Sequence, residues 1–380
     1  MNPEITTFDQ QRHPSGVIRQ EWTLLASAVT TVLFLLFGKV WLADLSNPIW
    51  FAAVLIWLFV VILLSAFAIV RHAESLAIIL GEPLGTLILT LSVIGVEVMM
   101  ISAVMLTGEG KPAVARDTMF SVVMALLGGM TGIALLLGSL KHHEQTYNLQ
   151  GANAYLALII PLAVLGLVLP NFTTTTSGPT LSPFQSIFTS LMSVSIYGVF
   201  LAVQTSRHRE YFISPHADHE DEHLHGEYKV QSTSYHALFL VLYILPLIIL
   251  AKQLAVPLEY GTRVLGAPEA LSGFLVAILI LSPEALSAVR AAIRNQLQRS
   301  VNILLGSVLA TIGLTIPAVL TIGLITGKML FLGLSPVNTI LLLLLLVLST
   351  ITFSNSRTNV LLGAVHLLLF LAYLMLMFEG

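Results

Sequence analysis

The chain contains no cysteine, which excludes disulfide frameworks and thiolate-held zinc or iron–sulfur centres. Charge is nearly as scarce. Only 10% of residues are Asp, Glu, Lys or Arg, against about 25% in soluble domains, so 380 residues of this composition lack the polar surface to stay in water. Nor is there a basic excess: 17 Lys and Arg face 20 Asp and Glu for a net charge of −3, and no face offers itself to nucleic acid. No Gly-x-x-x-x-Gly-Lys-Ser/Thr loop occurs, which argues against nucleotide-driven work. No cofactor is expected.

What fills the chain is apolar, with 56% hydrophobic residues and a mean hydropathy of +0.90. A segment in lipid must satisfy its own backbone hydrogen bonds, so an all-α polytopic membrane protein is expected. A crossing helix needs about 20 mostly apolar residues. Eleven stretches qualify: Trp22–Leu42, Pro48–Val70, Leu84–Leu106, Ala113–Leu140, Asn153–Pro170, Pro183–Gln204, His236–Val256, Ala270–Val289, Val301–Ile325, Val337–Phe353 and Val360–Phe378. The first 21 residues are polar and the first apolar run is long enough to span, so a retained helix is expected and not a cleaved leader. The chain then divides into a tail (1–21), spans 1–6 (22–204, the first repeat from about 48), a His- and acid-rich loop (205–235) and spans 7–11 (236–380). With the N-terminus inside, eleven Lys and Arg fall on the inner side and five (Lys111, Arg116, Lys252, Arg263 and Lys328) on the outer. The positive-inside rule therefore predicts a cytosolic N-terminus and a periplasmic C-terminus in a bacterial inner membrane.

Two acids stand deep inside apolar stretches: Glu97 in span 3 and Glu284 in span 8. Matching these spans pairs spans 2–6 with spans 7–11 and leaves span 1 extra. Each repeat has an odd number of spans, so the second enters from the opposite side. This is the inverted-repeat architecture of secondary transporters, with the site at the midplane. A carboxylate at the bilayer centre costs about 2.5–3.5 kcal/mol on insertion scales, and two are tolerable only when neutralised. Protons or a metal cation can do this, and both use the same lone pairs. That competition is the physical core of cation/proton antiport.

The surroundings suit a hard cation, which takes about six to eight oxygens. Ser92 and Thr90 lie near Glu97, and Ser282 precedes Glu284. Ser121, Ser307 and Thr311 in spans 4 and 9 are expected to complete the cation-binding shell. Pro283 removes a backbone N–H and frees a carbonyl near Leu279, as in the broken helices of transporters.

The segments Gly81–Thr86, Leu281-Ser282-Pro283-Glu284, Gly306–Thr311 and Ser356–Leu361, with the Glu97 span, resemble the bacterial calcium/proton antiporters. More narrowly, they resemble the sodium/potassium/calcium–proton antiporters of the ChaA type, a branch of the cation/Ca2+ antiporter superfamily. The resemblance implies inverted five-helix repeats with one essential acid each, here Glu97 and Glu284, both transporting the cation and carrying protons. Wider members carry Gly-Asn-Ala-x-Glu, whereas here Ile94 and Leu281 occupy the Asn positions. The implied function is exchange of cytosolic Ca2+, with Na+ or K+, for external protons. The alternatives are a Na+(K+)/H+ antiporter with little calcium transport and, less favoured, a cation channel. Ions, protons and membrane lipid are the expected partners.

The loop holds His216, Asp218, His219, Glu220, Asp221, Glu222, His223 and His225, a set that titrates near neutrality and binds divalent metals. A regulatory sensor is one reading and a solvated linker the other. His219–His223 matches His-Glu-x-x-His, but every neighbour is polar and the chain is not read as an enzyme. His366 in span 11 is read as a buried core histidine in preference to a proton relay.

Overall fold

The structure, a computed structural model, describes residues 21–81, 84–106, 112–213 and 231–379. Among the described residues it is helical almost throughout: α1 (Trp22–Trp41), α2 (Pro48–Leu80), α3 (Leu84–Leu106), α4 (Val114–His142), α5 (Leu149–Asn171), α6 (Pro183–Arg207), α7 (Thr233–Arg263), α8 (Glu269–Ile293), α9 (Leu297–Thr326), α10 (Pro336–Thr352) and α11 (Val360–Glu379). Ten are long and apolar enough to cross a bilayer, and α10 is a shorter apolar helix. Side-chain oxygens set several starts. Asn47 accepts from the Ile49 and Trp50 amides, Ser182 and Gln185 form a capping box, and Ser232 and Ser335 cap α7 and α10.

Most helices outrun their apolar stretches. α2 continues ten residues past Val70 because polar partners await it: Arg71 donates to Glu21 Oε2 at 2.6 Å and His72 Nε2 lies 3.3 Å from the same oxygen. Tyr235 and Tyr243 of α7 also donate to this carboxylate, at 2.8 and 2.9 Å. Glu21 is buried, and the cluster ties the start of α1 to α2 and α7.

Two short strands test the number of crossings. β1 (Gln145–Thr146) follows α4 and pairs antiparallel with β2 (Arg357–Thr358), which precedes α11. Six helices, α5 to α10, lie between them; with the five long ones crossing, short α10 must cross as well for the strands to meet. The same face carries Glu21, and the positive-inside rule makes it the expected inner face. On the opposite face the α9–α10 connection bonds back, Phe331 N–H to Pro112 O and Leu334 N–H to Leu167 O.

The packing is doubled. α8 lies on α4 as α3 lies on α9, and α11 lies on α4 as α6 lies on α9. π-helical turns recur at Met124–Met130 in α4 and Thr311–Thr315 in α9. The interval from Glu97 to Glu284 equals that from Met124 to Thr311, so acids and π-turns share one register in the two halves. Two apolar cores result. One joins α4–α6 and α9–α11; the other joins α1, α2 and α7. Residues of α3 and α8 belong to both, which puts the acid-bearing helices at the seam.

Candidate cation site

A cavity of about 250 Å³ opens along this seam. Val70 and Glu74 of α2, Thr86 of α3, Gln204 of α6, Ser287 of α8 and Arg299 of α9 line it, all from the inner halves of their helices. It runs to Glu97, Glu284, Ser307 and Thr311. Both acids therefore face one chamber and not lipid.

Each acid is held by a hydroxyl from α9. Thr311 Oγ1 donates to Glu97 Oε2 at 3.0 Å, and Ser307 donates to Glu284 Oε2. Ser307 and Thr311 are four residues apart and so share a helix face. Glu97 is only 1% exposed, and its Oε1 has no hydrogen-bond partner. A buried carboxylate oxygen without a donor is costly, and it is the kind of atom a cation or proton would satisfy. Among the described residues no three acids or histidines gather closely enough to hold a metal by themselves. A bound cation would draw its remaining oxygens from hydroxyls, carbonyls and water.

Of the other expected oxygens, Thr90 lines the cavity, whereas Ser92, Ser121 and Ser282 stand elsewhere. Ser121 donates to Asp117 O at 2.7 Å and bonds Tyr373 Oη at 2.7 Å; Ser282 donates to Ile278 O at 2.5 Å; neither they nor Ser92 line the cavity. In the register shared by the acids and π-turns, the first-repeat positions matching Ser307 and Thr311 hold Phe120 and Met124. The hydroxyls that bond the two acids thus come from one repeat only. α8 passes through Pro283 without interruption, so the expected helix break is absent. It packs against α4 and α9 along its length.

Sequence reasoning missed Glu74, Tyr155, Gln204, Arg299 and Asn302 as lining residues. Gln204 donates to Tyr155 Oη at 3.0 Å. A polar residue at a span end reads as interfacial until the cavity beneath it is seen. The start of the polar loop is also folded: Phe212 packs on Tyr155 and Phe200, and Asn302 donates to its carbonyl at 2.7 Å. His216, Asp218, His219, Glu220, Asp221, Glu222, His223 and His225 lie outside the described residues. His366 is fully buried, donates from Nδ1 to Leu127 O at 2.6 Å, and lies 2.9 Å from Thr352 Oγ1 through Nε2. Since a carbonyl only accepts, Nδ1 carries the proton and Nε2 accepts from Thr352. The residue pins α11 to α4 and α10.

Residues 50–206 and 235–379 match the sodium/calcium exchanger protein family. The chain belongs to that family. This exchanger-family chain is 43% identical over 354 residues to the sodium-potassium/proton antiporter ChaA of Escherichia coli strain K12, covering 93% of this chain and 96% of that protein. Its fold is similar to that of native YfkE, with a TM-score of 0.71 at 20% identity over 94% of this chain and 100% of the other. It is also similar to the H+/Ca2+ exchanger CAX, with a TM-score of 0.64 at 16% identity over 94% and 88%.

Proposed function

We propose that this exchanger-family chain is a secondary antiporter of the bacterial inner membrane, with a cytosolic N-terminus and a periplasmic C-terminus, that releases cytosolic Na+ or K+ against external protons. The observation that carries this reading is the pair Glu97 and Glu284 in one chamber, each held by an α9 hydroxyl, with one Glu97 oxygen left unpartnered. When protons neutralise the acids, the lone pairs a cation needs are taken; when a cation enters, the protons leave. Opening the chamber to alternate faces then couples the two flows, and no covalent chemistry or resident cofactor takes part. The absence of Asn beside either acid favours monovalent ions, and the E. coli relative is a sodium-potassium/proton antiporter. Exchange of Ca2+ is a second reading, favoured by two carboxylates in one chamber, which suit a doubly charged ion.

Everted vesicles carrying a pH-sensitive dye test this. NaCl, KCl or CaCl₂ added singly should collapse an imposed proton gradient for each true substrate. Glu97→Gln and Glu284→Gln should each abolish the response. Wild-type rates in both variants would remove the site assignment, and ion current without proton movement would indicate a channel.

A further inference from the structure

The chamber contains a third acid that the paired glutamates leave without a role. Glu74, near the inner end of α2, is exposed and lines the same cavity, as does Arg299 at the start of α9. Arg299 lies within electrostatic reach of it, and Glu74 within reach of Glu284.

The sequence around Glu74 recurs. Glu74 is followed by Gly81 and Pro83; at the same spacing Glu259 is followed by Gly266 and Pro268. Both glycines adopt left-handed backbone, with φ of 62° and 68°, which a side chain resists. Each closes the helix that precedes an acid-bearing helix: Gly81 lies between α2 and α3, Gly266 between α7 and α8. The motif is a second landmark of the duplication, independent of the central acids. α2 and α7 open the two repeats and cross in opposite directions, so the copies fall near opposite faces. Glu74 stands at the inner mouth. Glu259 stands near the outer end of α7, where Arg263 Nε donates to its Oε1 at 3.1 Å.

We infer that Glu74 and Glu259 are paired mouth acids, each collecting the transported cation on its own face, with Arg299 and Arg263 as tethered counter-ions that the cation displaces. The inference rests on the exchanger reading above. A carboxylate at the rim of a low-dielectric cleft focuses field and raises the local concentration of cations. An arginine guanidinium can neutralise that acid but cannot follow the ion inward, because it is fixed to its helix. Only the inner acid lines the cavity of this conformation.

The test uses the full chain in everted and right-side-out vesicles, titrating Na+, K+ and Ca2+ on each face. Glu74→Gln should raise the apparent KM at the inner face by about tenfold and leave the outer-face KM in place; Glu259→Gln should do the reverse. The effect should fall on KM and not on maximal rate. Glu74→Asp should restore the inner-face value, and Arg299→Gln should lower it. Variants matching wild type on both faces, or shifted equally on both, would overturn the inference while the exchanger reading stands. A wild-type protein that exchanges none of the three ions would overturn the exchanger reading itself, and the mouth acids with it.

Discussion

Thr311 and Ser307 are the donors on which the two chamber acids rely. A hydrogen bond to a charged group is worth about 1.5–3 kcal/mol. Thr311→Val should therefore lower apparent cation affinity roughly ten- to hundredfold, and Ser307→Ala should act in the same direction through Glu284. Cation titration of dye-loaded vesicles measures both, and curves that overlay wild type would show that the hydroxyls are bystanders. Glu97 and Glu284 are legible in the sequence because an acid inside an apolar run has no bland setting. Ser121 and Ser282 are not, since a hydroxyl can bond a carbonyl of its own helix as readily as a ligand, as both do. Which face a serine presents depends on helix phase, and the π-turns of α4 and α9 alter that phase in a way apolar periodicity does not register.

Helix crossings set the next level. Gly132 of α4 and Gly363 of α11 meet backbone to backbone; a methyl on Gly363 would sit 2.6 Å from Leu136 N and 2.9 Å from Gly132 O. Gly363→Ala must push the helices apart, at a cost of about 1–3 kcal/mol by the general penalty for overpacking. A lowered unfolding midpoint in detergent would show it, and an unchanged midpoint would refute the close contact. The Glu21 cluster adds a pH signature. Burial pushes this carboxyl up, but hydrogen bonds from His72, Tyr235 and Tyr243 and the charge of Arg71 outweigh it and hold the group at about 2, below its ordinary 4.5. A depressed value stabilises the fold above the ordinary one and stops doing so as pH falls through the depressed one. The difference in unfolding midpoint between wild type and Glu21→Gln should thus be constant above about pH 5 and shrink toward pH 2; a difference independent of pH would contradict the cluster. Span positions were readable because lipid demands long apolar runs. Helix ends were not, because α2 is extended by partners distant in sequence.

At the scale of the whole molecule the chamber faces one side. Because the chain has no native cysteine, a single substitution reports access without interference. Ser287→Cys, on the chamber wall, should react with an impermeant maleimide from the inner face, and saturating cation should slow it. Val264→Cys, 63% exposed just beyond the outer end of α7, should react from the other face. Equal labelling of Ser287→Cys from both sides would show a continuous pore. The doubled architecture was visible in the placing of two acids, but its one-sided chemistry was not, since Phe120 and Met124 read as ordinary lipid-span residues. The little ladder between Gln145–Thr146 and Arg357–Thr358 bears on any such motion. It fastens two hairpins from different halves of the chain like a crossbar, joining the inner tips of α4, α5, α10 and α11. Severing that crossbar should let the two hairpins wander separately.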